Sequence, residues 1–344
     1  GNVGRGRRRA RVCMVAAEGP KGGLTEVKRL KVVGCDVYLP EGGTPQGLVH
    51  FVPGALVSTA PYAFYGNLMQ RLSEHGFAVV ATPYETGFDH ERIAQTVADK
   101  FVDAYREVLP RLPNRWLPTF GVGHSLGSKL HVLINSDPAI RKLIPPRASN
   151  ILMSYNNMSA AESIPAYENL VASMQVLDRL SPILSELSSG LRGTQFANVD
   201  VQAIMRGLEN FRGEIKPNAA EVERLLNTSY AVNENLVISF NNDTIDQSGT
   251  LENSLVARFE GGTLRRKLPG THLTPMTPEL GGVPRSLGLG EGIDNLIATQ
   301  VGAVRNQYAS EFDILANTII AYLTLRTKDI ETRILGPSKS AGAE

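Results

Sequence analysis

At 344 residues and 37.3 kDa the chain is too long for one minimal domain and short for two large ones, which favours one large domain or a domain carrying an insertion. With 42% hydrophobic and 20% charged residues it is composed as a folded protein rather than a disordered one. Its 35 Lys and Arg against 34 Asp and Glu leave a net charge of +1, so no overall bias points to nucleic acid or an acidic membrane.

That near-neutral sum is unevenly spread. The first 17 residues hold Arg5, Arg7, Arg8, Arg9 and Arg11 and no acid, which leaves 30 bases against 34 acids in the rest. A basic, acid-free head ending Val12-Cys13-Met14-Val15-Ala16-Ala17 reads as the remnant of an organelle transit peptide over 1–17; the alternative is an arm that binds nucleic acid or a partner. No apolar core follows the arginines, which argues against a secretory signal. Without the head the body is mildly acidic, which disfavours docking on anionic lipid. Cys13 and Cys35 give no disulfide framework and no zinc spacing. The mostly apolar run Ile314 to Leu325 is too short to span a bilayer.

Short β-rich runs then alternate with helical segments, the pattern of an α/β protein with a largely parallel sheet. Residues 32–39 read as a strand, 48–52 as a second and 77–81 as a third, with a helix over 62–72. From Asp89 to Val108, Ile93, Val97, Phe101, Ala104 and Val108 recur at three and four residues and predict a helix with one buried face. Strands at 118–122 and 151–155 flank a helix at 125–134. From 158 to 230 the segments look only helical, with Leu170, Met174, Leu177 and Leu180 on one face and Val222, Leu225 and Leu226 on another. Strands resume at 236–240 and 254–259, and a helical region covers 292–325. Strands on both sides of the helical block favour an insertion above one sheet over an independent helical domain.

Gly123-His124-Ser125-Leu126-Gly127 fits G-x-S-x-G between an apolar strand and a helix. A serine at so sharp a turn needs glycines two residues away on either side, because a Cβ there would meet the neighbouring strand and helix. The helix that follows points its N-terminus at the site and stabilises developing negative charge. Here the chain resembles the α/β-hydrolase superfamily over roughly residues 28 to 330. More narrowly it is similar to an uncharacterised plant and cyanobacterial domain-of-unknown-function family, on Phe51-Val52-Pro53-Gly54-Ala55, Gly123 to Gly127 and Ser239-Phe240-Asn241-Asn242-Asp243. The resemblance implies a hydrolase-like fold without a known substrate, and a plastid location. In these terms 28–157 and 231–330 form the α/β-hydrolase core, 158–230 a helical cap and 331–344 a C-terminal tail.

The catalytic order of this fold is Ser, then Asp or Glu, then His. Of six histidines only His272 lies far enough beyond Ser125 to follow the last strand, which makes it the expected general base. His124 is the elbow's variable residue, with a side chain expected to point away from Ser125. Asp243, three residues after the strand at 236–240, is the expected acid, with Asp246 its rival; either could instead make an Asx turn. Leu126 and Ala55 are the expected oxyanion N–H donors, Leu56 being the alternative to Ala55. Tyr62 and Tyr65 either line the pocket or pack.

These residues predict a serine hydrolase cleaving an ester or thioester through a Ser-Asp-His triad, without metal or other cofactor. The apolar faces of the inserted helices lean towards a small-molecule, lipid-like acyl substrate, although they serve equally to pack the helices together. The alternative is a hydrolase-fold binding or assembly protein with protein partners and little turnover. The glycines at 281–292 lack a phosphate-loop lysine and read as a loop, and Arg265-Arg266-Lys267 reads as a solvated surface rather than an anion site.

Overall fold

The computed structural model describes residues 25–114, 116–159, 162, 214–276 and 291–335. The basic head, most of the expected cap, the glycine-rich loop and residues 336–344 lie outside them.

Two strands, Val27–Val32 (β1) and Cys35–Pro40 (β2), stand where a single strand was expected over 32–39. They pair antiparallel through a two-residue turn in which Val33 (φ 49°) and Gly34 (φ 76°) both take left-handed backbone, the geometry tight hairpins need. The turn hides in the sequence because Val33 is β-branched and reads as strand.

The chain continues through Gly47–Val52 (β3), Pro61–Glu74 (α1), Phe77–Ala81 (β4), His90–Val108 (α2), Thr119–His124 (β5), Leu126–Ser136 (α3), Pro138–Leu143 (α4) and Arg147–Met153 (β6). Further along the chain come Ala219–Thr228 (α5), within the expected insertion, then Asn235–Phe240 (β7), Ser248–Arg258 (α6), Thr263–Leu268 (β8) and Glu291–Leu335 (α7). Every residue of β3, β4, β5 and β7 is buried, as expected of strands covered on both faces, which is why they read as continuous apolar runs. Asp89 caps α2 by accepting the Arg92 N–H at 3.0 Å, and Asn218 and Glu221 form a reciprocal capping box on α5.

One expected strand is a helix. Residues 254–258 belong to α6, with Phe259 its C-cap, and Ser248, Leu251 and Leu255 are buried at three- and four-residue spacing. The short run Leu255-Val256-Ala257 carries no period of its own, so length and neighbours decide it. The last strand is β8, unread because its centre is Arg265-Arg266-Lys267. As the sheet's outer strand it exposes these charges, which also discourage pairing with another chain.

The sheet has eight strands in the order β1-β2-β4-β3-β5-β6-β7-β8. The first two pairings, β1 with β2 and β2 with β4, are antiparallel, and every later one is parallel. One apolar cluster packs α2, α3, α5 and α6 on one face, and a second packs α1 and α7 on the other. Val222 and Leu226 of α5 join the first cluster, at about 1.5–3 kcal/mol each. That burial fixes this part of the 158–230 stretch against the sheet's own helices. Because β4 lies on one side of β3 and β5 on the other, chain direction around the sheet reverses there. The loops after β3 and β5 therefore leave the sheet at the same end, the C-terminal one where such sheets usually bind ligands. Mostly parallel strands, helices on both faces and a strand–serine–helix elbow after β5 make this an α/β-hydrolase fold.

Candidate active site

Ser125 joins β5 to α3 at φ 54° and ψ −121°, a left-handed conformation worth about 1–3 kcal/mol of strain for a residue with a side chain. Its surroundings hold it there. The Ser125 N–H donates to the Met153 carbonyl at 2.9 Å, and the Ser128 hydroxyl lies 2.8 Å from the Gly123 carbonyl and 2.9 Å from that of Met153. A Cβ at Gly123 would lie 2.6 Å from the Gly127 oxygen, and one at Gly127 would strike the carbonyls of Val52 and Pro53. Both elbow glycines are thus demanded by backbone passing close by.

The same contacts bring the loop after β3 to Ser125. A Cβ on Gly54 would lie 3.3 Å from the Ser125 Cβ and 3.2 Å from both His124 Nδ1 and the Tyr65 oxygen. The loop is pinned by Tyr84, whose hydroxyl donates to the Pro53 carbonyl at 2.9 Å, and by Thr86, which donates to the Ala55 carbonyl at 2.5 Å. Gly54 N–H is engaged, donating to the Tyr65 oxygen at 3.1 Å. Ala55 opens a single 3-10 turn, Ala55–Val57, and Leu126 opens α3. The first N–H groups of a helix have no acceptor within it, so the two expected oxyanion donors are of the right kind.

The structure brings His272 to Asp243. β7 and β8 run side by side with Phe240 opposite Leu268, so their following loops leave together. They are stitched by Asn241 N–H to the Leu268 carbonyl at 2.9 Å and Asn242 N–H to the Gly270 carbonyl at 3.0 Å. His272 Nδ1 lies 2.8 Å from Asp243 Oδ2, with the aspartate side chain fully buried and the imidazole 7% exposed. Burial pushes the Asp243 carboxyl up, but the hydrogen bond and charge of His272, with the Ile245 N–H, outweigh it and hold it below the ordinary carboxylate value. With Nδ1 facing a carboxylate, the His272 nitrogen left for proton transfer is Nε2. Asp246 does not reach His272. It accepts from the Ser248 N–H at 3.1 Å and hydroxyl at 2.5 Å, ordering the start of α6, and burial raises its pKa.

The His124 ring lies 4.8 Å from the His272 ring at 48°, and its Nδ1 is 2.7 Å from the Tyr65 oxygen. Burial, then the neighbouring His272, holds it well below the ordinary histidine pKa. The two tyrosines left open by the sequence also separate. Tyr65 is wholly buried in the site, whereas Tyr62 is 47% exposed with the Lys31 ammonium 5.3 Å above its ring. Tyr65 and His124 stand 59 positions apart, so no local signal pairs them. Ser125 itself is 2% exposed, and its hydroxyl has no hydrogen-bond partner among the described residues.

A separate groove of about 260 Å³ runs between β1, β2 and α1 and contains none of these residues. Its cations are already engaged, Lys31 with Asp36 at 2.6 Å and Arg29 with Gln70 at 3.1 Å. Among the described residues no helix is long and apolar enough to cross a membrane.

Residues 29–282 match the model of a family described as protein of unknown function (DUF1350). No curated protein matches the chain. Among solved structures, it is similar to a thioesterase domain from the curacin biosynthetic pathway, at 18% identity and TM-score 0.39, covering 79% of this chain and 99% of that one. It is also similar to carboxyl esterase 2 of the mycorrhizal fungus Tuber melanosporum, at 13% identity and TM-score 0.47, covering 91% and 89%. A third is S-formylglutathione hydrolase of Staphylococcus aureus, at 14% identity and TM-score 0.41, covering 74% and 92%.

Proposed function

We propose, for a chain that belongs to the DUF1350 family of proteins of unknown function, a serine hydrolase that cleaves acyl esters or thioesters. One observation carries the reading: a buried His272–Asp243 pair at 2.8 Å, its imidazole packed on His124, the residue beside the strained Ser125. Ser125 Oγ attacks the acyl carbonyl as His272 Nε2 takes its proton. Asp243 orients the ring and stabilises the imidazolium that forms. Charge on the carbonyl oxygen is met by the N–H groups of Ala55 and Leu126 and by the N-terminus of α3. The intermediate collapses with the leaving alcohol or thiol taking the proton from His272, and water, deprotonated by the same base, releases the acid and restores Ser125.

For the substrate class, the expected apolar face at Leu170, Met174, Leu177 and Leu180, which lies outside the described residues, favours an acyl chain drawn singly from a membrane or carrier, although such a face serves equally to pack helices together. The arginine-rich head supports delivery to a plastid, which import of the labelled chain into isolated plastids tests. A chain that stays outside, or that enters equally well without the head, removes that assignment.

A fluorophosphonate probe tests the chemistry. Wild type is expected to label at Ser125, and an unlabelled wild type, or equal labelling of Ser125→Ala, overturns the reading. The unpartnered Ser125 hydroxyl favours a second reading, a hydrolase-shaped binding or assembly protein with little turnover. Folded protein that resists the probe would leave that reading standing; apo sites often tighten only on binding substrate, so the probe decides where geometry does not.

A further inference from the structure

We infer that Tyr65 and His124 form a neutral hydrogen-bonded tie that fixes the oxyanion loop and the general base relative to each other. This rests on the serine-hydrolase reading and adds two positioning residues to it.

The proton positions along the tie follow from donors and acceptors. Gly54 N–H can only donate, and it donates to the Tyr65 oxygen at 3.1 Å. The phenol proton then goes to His124 Nδ1, 2.7 Å away. His124 must therefore accept at Nδ1 and carry its own proton on Nε2. Burial supports this, keeping the ring neutral and the phenol protonated. Among the described residues His124 Nε2 is buried without a side-chain hydrogen-bond partner, and both the ring and the backbone of His272 bear on this imidazole.

The tie joins three segments that carry the chemistry. Tyr65 stands on α1 and is fully buried against Phe51 of β3, so the phenol is a fixed post. It holds Gly54, whose neighbour Ala55 is an expected oxyanion donor, and it thereby removes the Gly54 N–H from competition. Through His124 it also supports His272, 4.8 Å away. A protonated His124 would set a positive ring beside the base that must itself become positive; the neutral tautomer avoids that repulsion. Among the described residues neither side chain hydrogen-bonds to the Ser125 hydroxyl, so His124 and Tyr65 act through His272 and the oxyanion loop.

The test combines Tyr65→Phe, His124→Leu and His124→Gln with two readouts. The first is the rate of fluorophosphonate labelling, with kcat and KM on an acyl ester where turnover is found. Tyr65→Phe and His124→Leu are expected to label about tenfold to a hundredfold more slowly, with kcat lowered and KM held, because misplacement of this size acts on the transition state. His124→Gln, which offers Tyr65 an acceptor and keeps a donor beyond it, is expected to recover part of the loss seen in His124→Leu. Variants that label at the wild-type rate, while Ser125→Ala does not label, overturn the inference and leave the hydrolase reading intact. The second readout is ¹⁵N NMR of the His124 ring, which requires no activity. A neutral ring protonated on Nε2 is expected throughout the range where a free histidine titrates, and an Nδ1–H tautomer or an imidazolium overturns the tie. Wild type that shows the tautomer but never labels overturns the hydrolase reading, and the positioning role falls with it.

Discussion

Two buried polar groups share the strands of this sheet. One lies at the C-terminal ends of β3, β5, β7 and β8 and contains Ser125, His124, His272 and Asp243. The other lies a few residues earlier, where His50, Gly121, Asn150 and Asn235 stand opposite one another across β3, β5, β6 and β7. In this row Arg147 donates to His50 Nδ1 at 2.6 Å, which leaves the His50 Nε2–H for the Thr82 hydroxyl at 3.1 Å. Asn150 donates to the Tyr230 oxygen at 2.7 Å, and Tyr230 donates to Asn235 at 2.6 Å. Both groups hold histidines pushed below their ordinary pKa by burial, His50 and His131 in the row and His124 at the elbow. A shifted histidine therefore does not mark a reactive site. Among the described residues the row leaves Arg147 Nε and Nη1, Asn150 Oδ1 and His131 Nδ1 unpartnered, but it holds no serine on a strained turn and no carboxylate on an imidazole. The elbow group has both. The row is polar packing between strands, whereas the elbow group contains a strained serine and a buried imidazole–carboxylate pair.

The largest expected effects break that contrast at the elbow. Ser125→Ala should remove hydrolysis by about 10⁶-fold, measured as kcat on a short acyl ester, with the fold unchanged by circular dichroism. Asp243→Asn should lower kcat by about 10⁴-fold, because His272 then loses the partner that fixes its tautomer. Asp246→Asn is the control. It meets Ser248 rather than His272, so its expected cost is about 1 kcal/mol of stability from a weakened helix start, with kcat near wild type. A 10⁴-fold loss in Asp246→Asn and none in Asp243→Asn would reverse the assignment of the acid.

These residues differ in how far the sequence discloses them. The elbow was legible because its constraint is local: two glycines and a serine between an apolar strand and a helix allow few other structures. The order Ser125, Asp243, His272 was legible because parallel strands deliver their following loops to one end. Distance from the strand favours Asp243, but Asp246 stays a rival in the sequence, since each stands shortly after β7 and each accepts a backbone N–H two residues on, from Ile245 and Ser248. β8 was hidden by its own exposed charges and α6 by a run too short to show a period. Tyr65 and His124 meet only through tertiary folding. The row is invisible for a related reason: His50, Gly121 and Asn150 each look like interruptions of an apolar strand until register sets them side by side.

Smaller effects sharpen the contrast from the row's side. Tyr230→Phe should cost about 1–3 kcal/mol in urea unfolding, because it leaves the Asn150 amide and the Asn235 carbonyl oxygen without their shared partner. Labelling of Ser125 should be unaffected. A loss of labelling without a loss of stability would mean that the row serves the chemistry and would dissolve the distinction.

A last effect is read across pH. His131 is held neutral, its pKa lowered from 6.5 to about 3 by burial and then by Arg147. The unfolded chain takes up a proton at this residue as pH falls through about 6.5, while the folded protein does so only near 3. Between those values the unfolded state binds more protons, so stability should decline as pH drops, and below the lower value this residue adds nothing further. One such group contributes about 1.4 kcal/mol per pH unit within that window. His131→Gln, which keeps a donor for the Val122 carbonyl now 3.2 Å from Nε2, should remove that much of the slope in unfolding measured across the window. The pH profile of Ser125 labelling should keep its shape, because His131 packs against His50 of the row and the proposed base is His272. A variant that moves the labelling profile but not the stability slope would show that the two groups titrate as one.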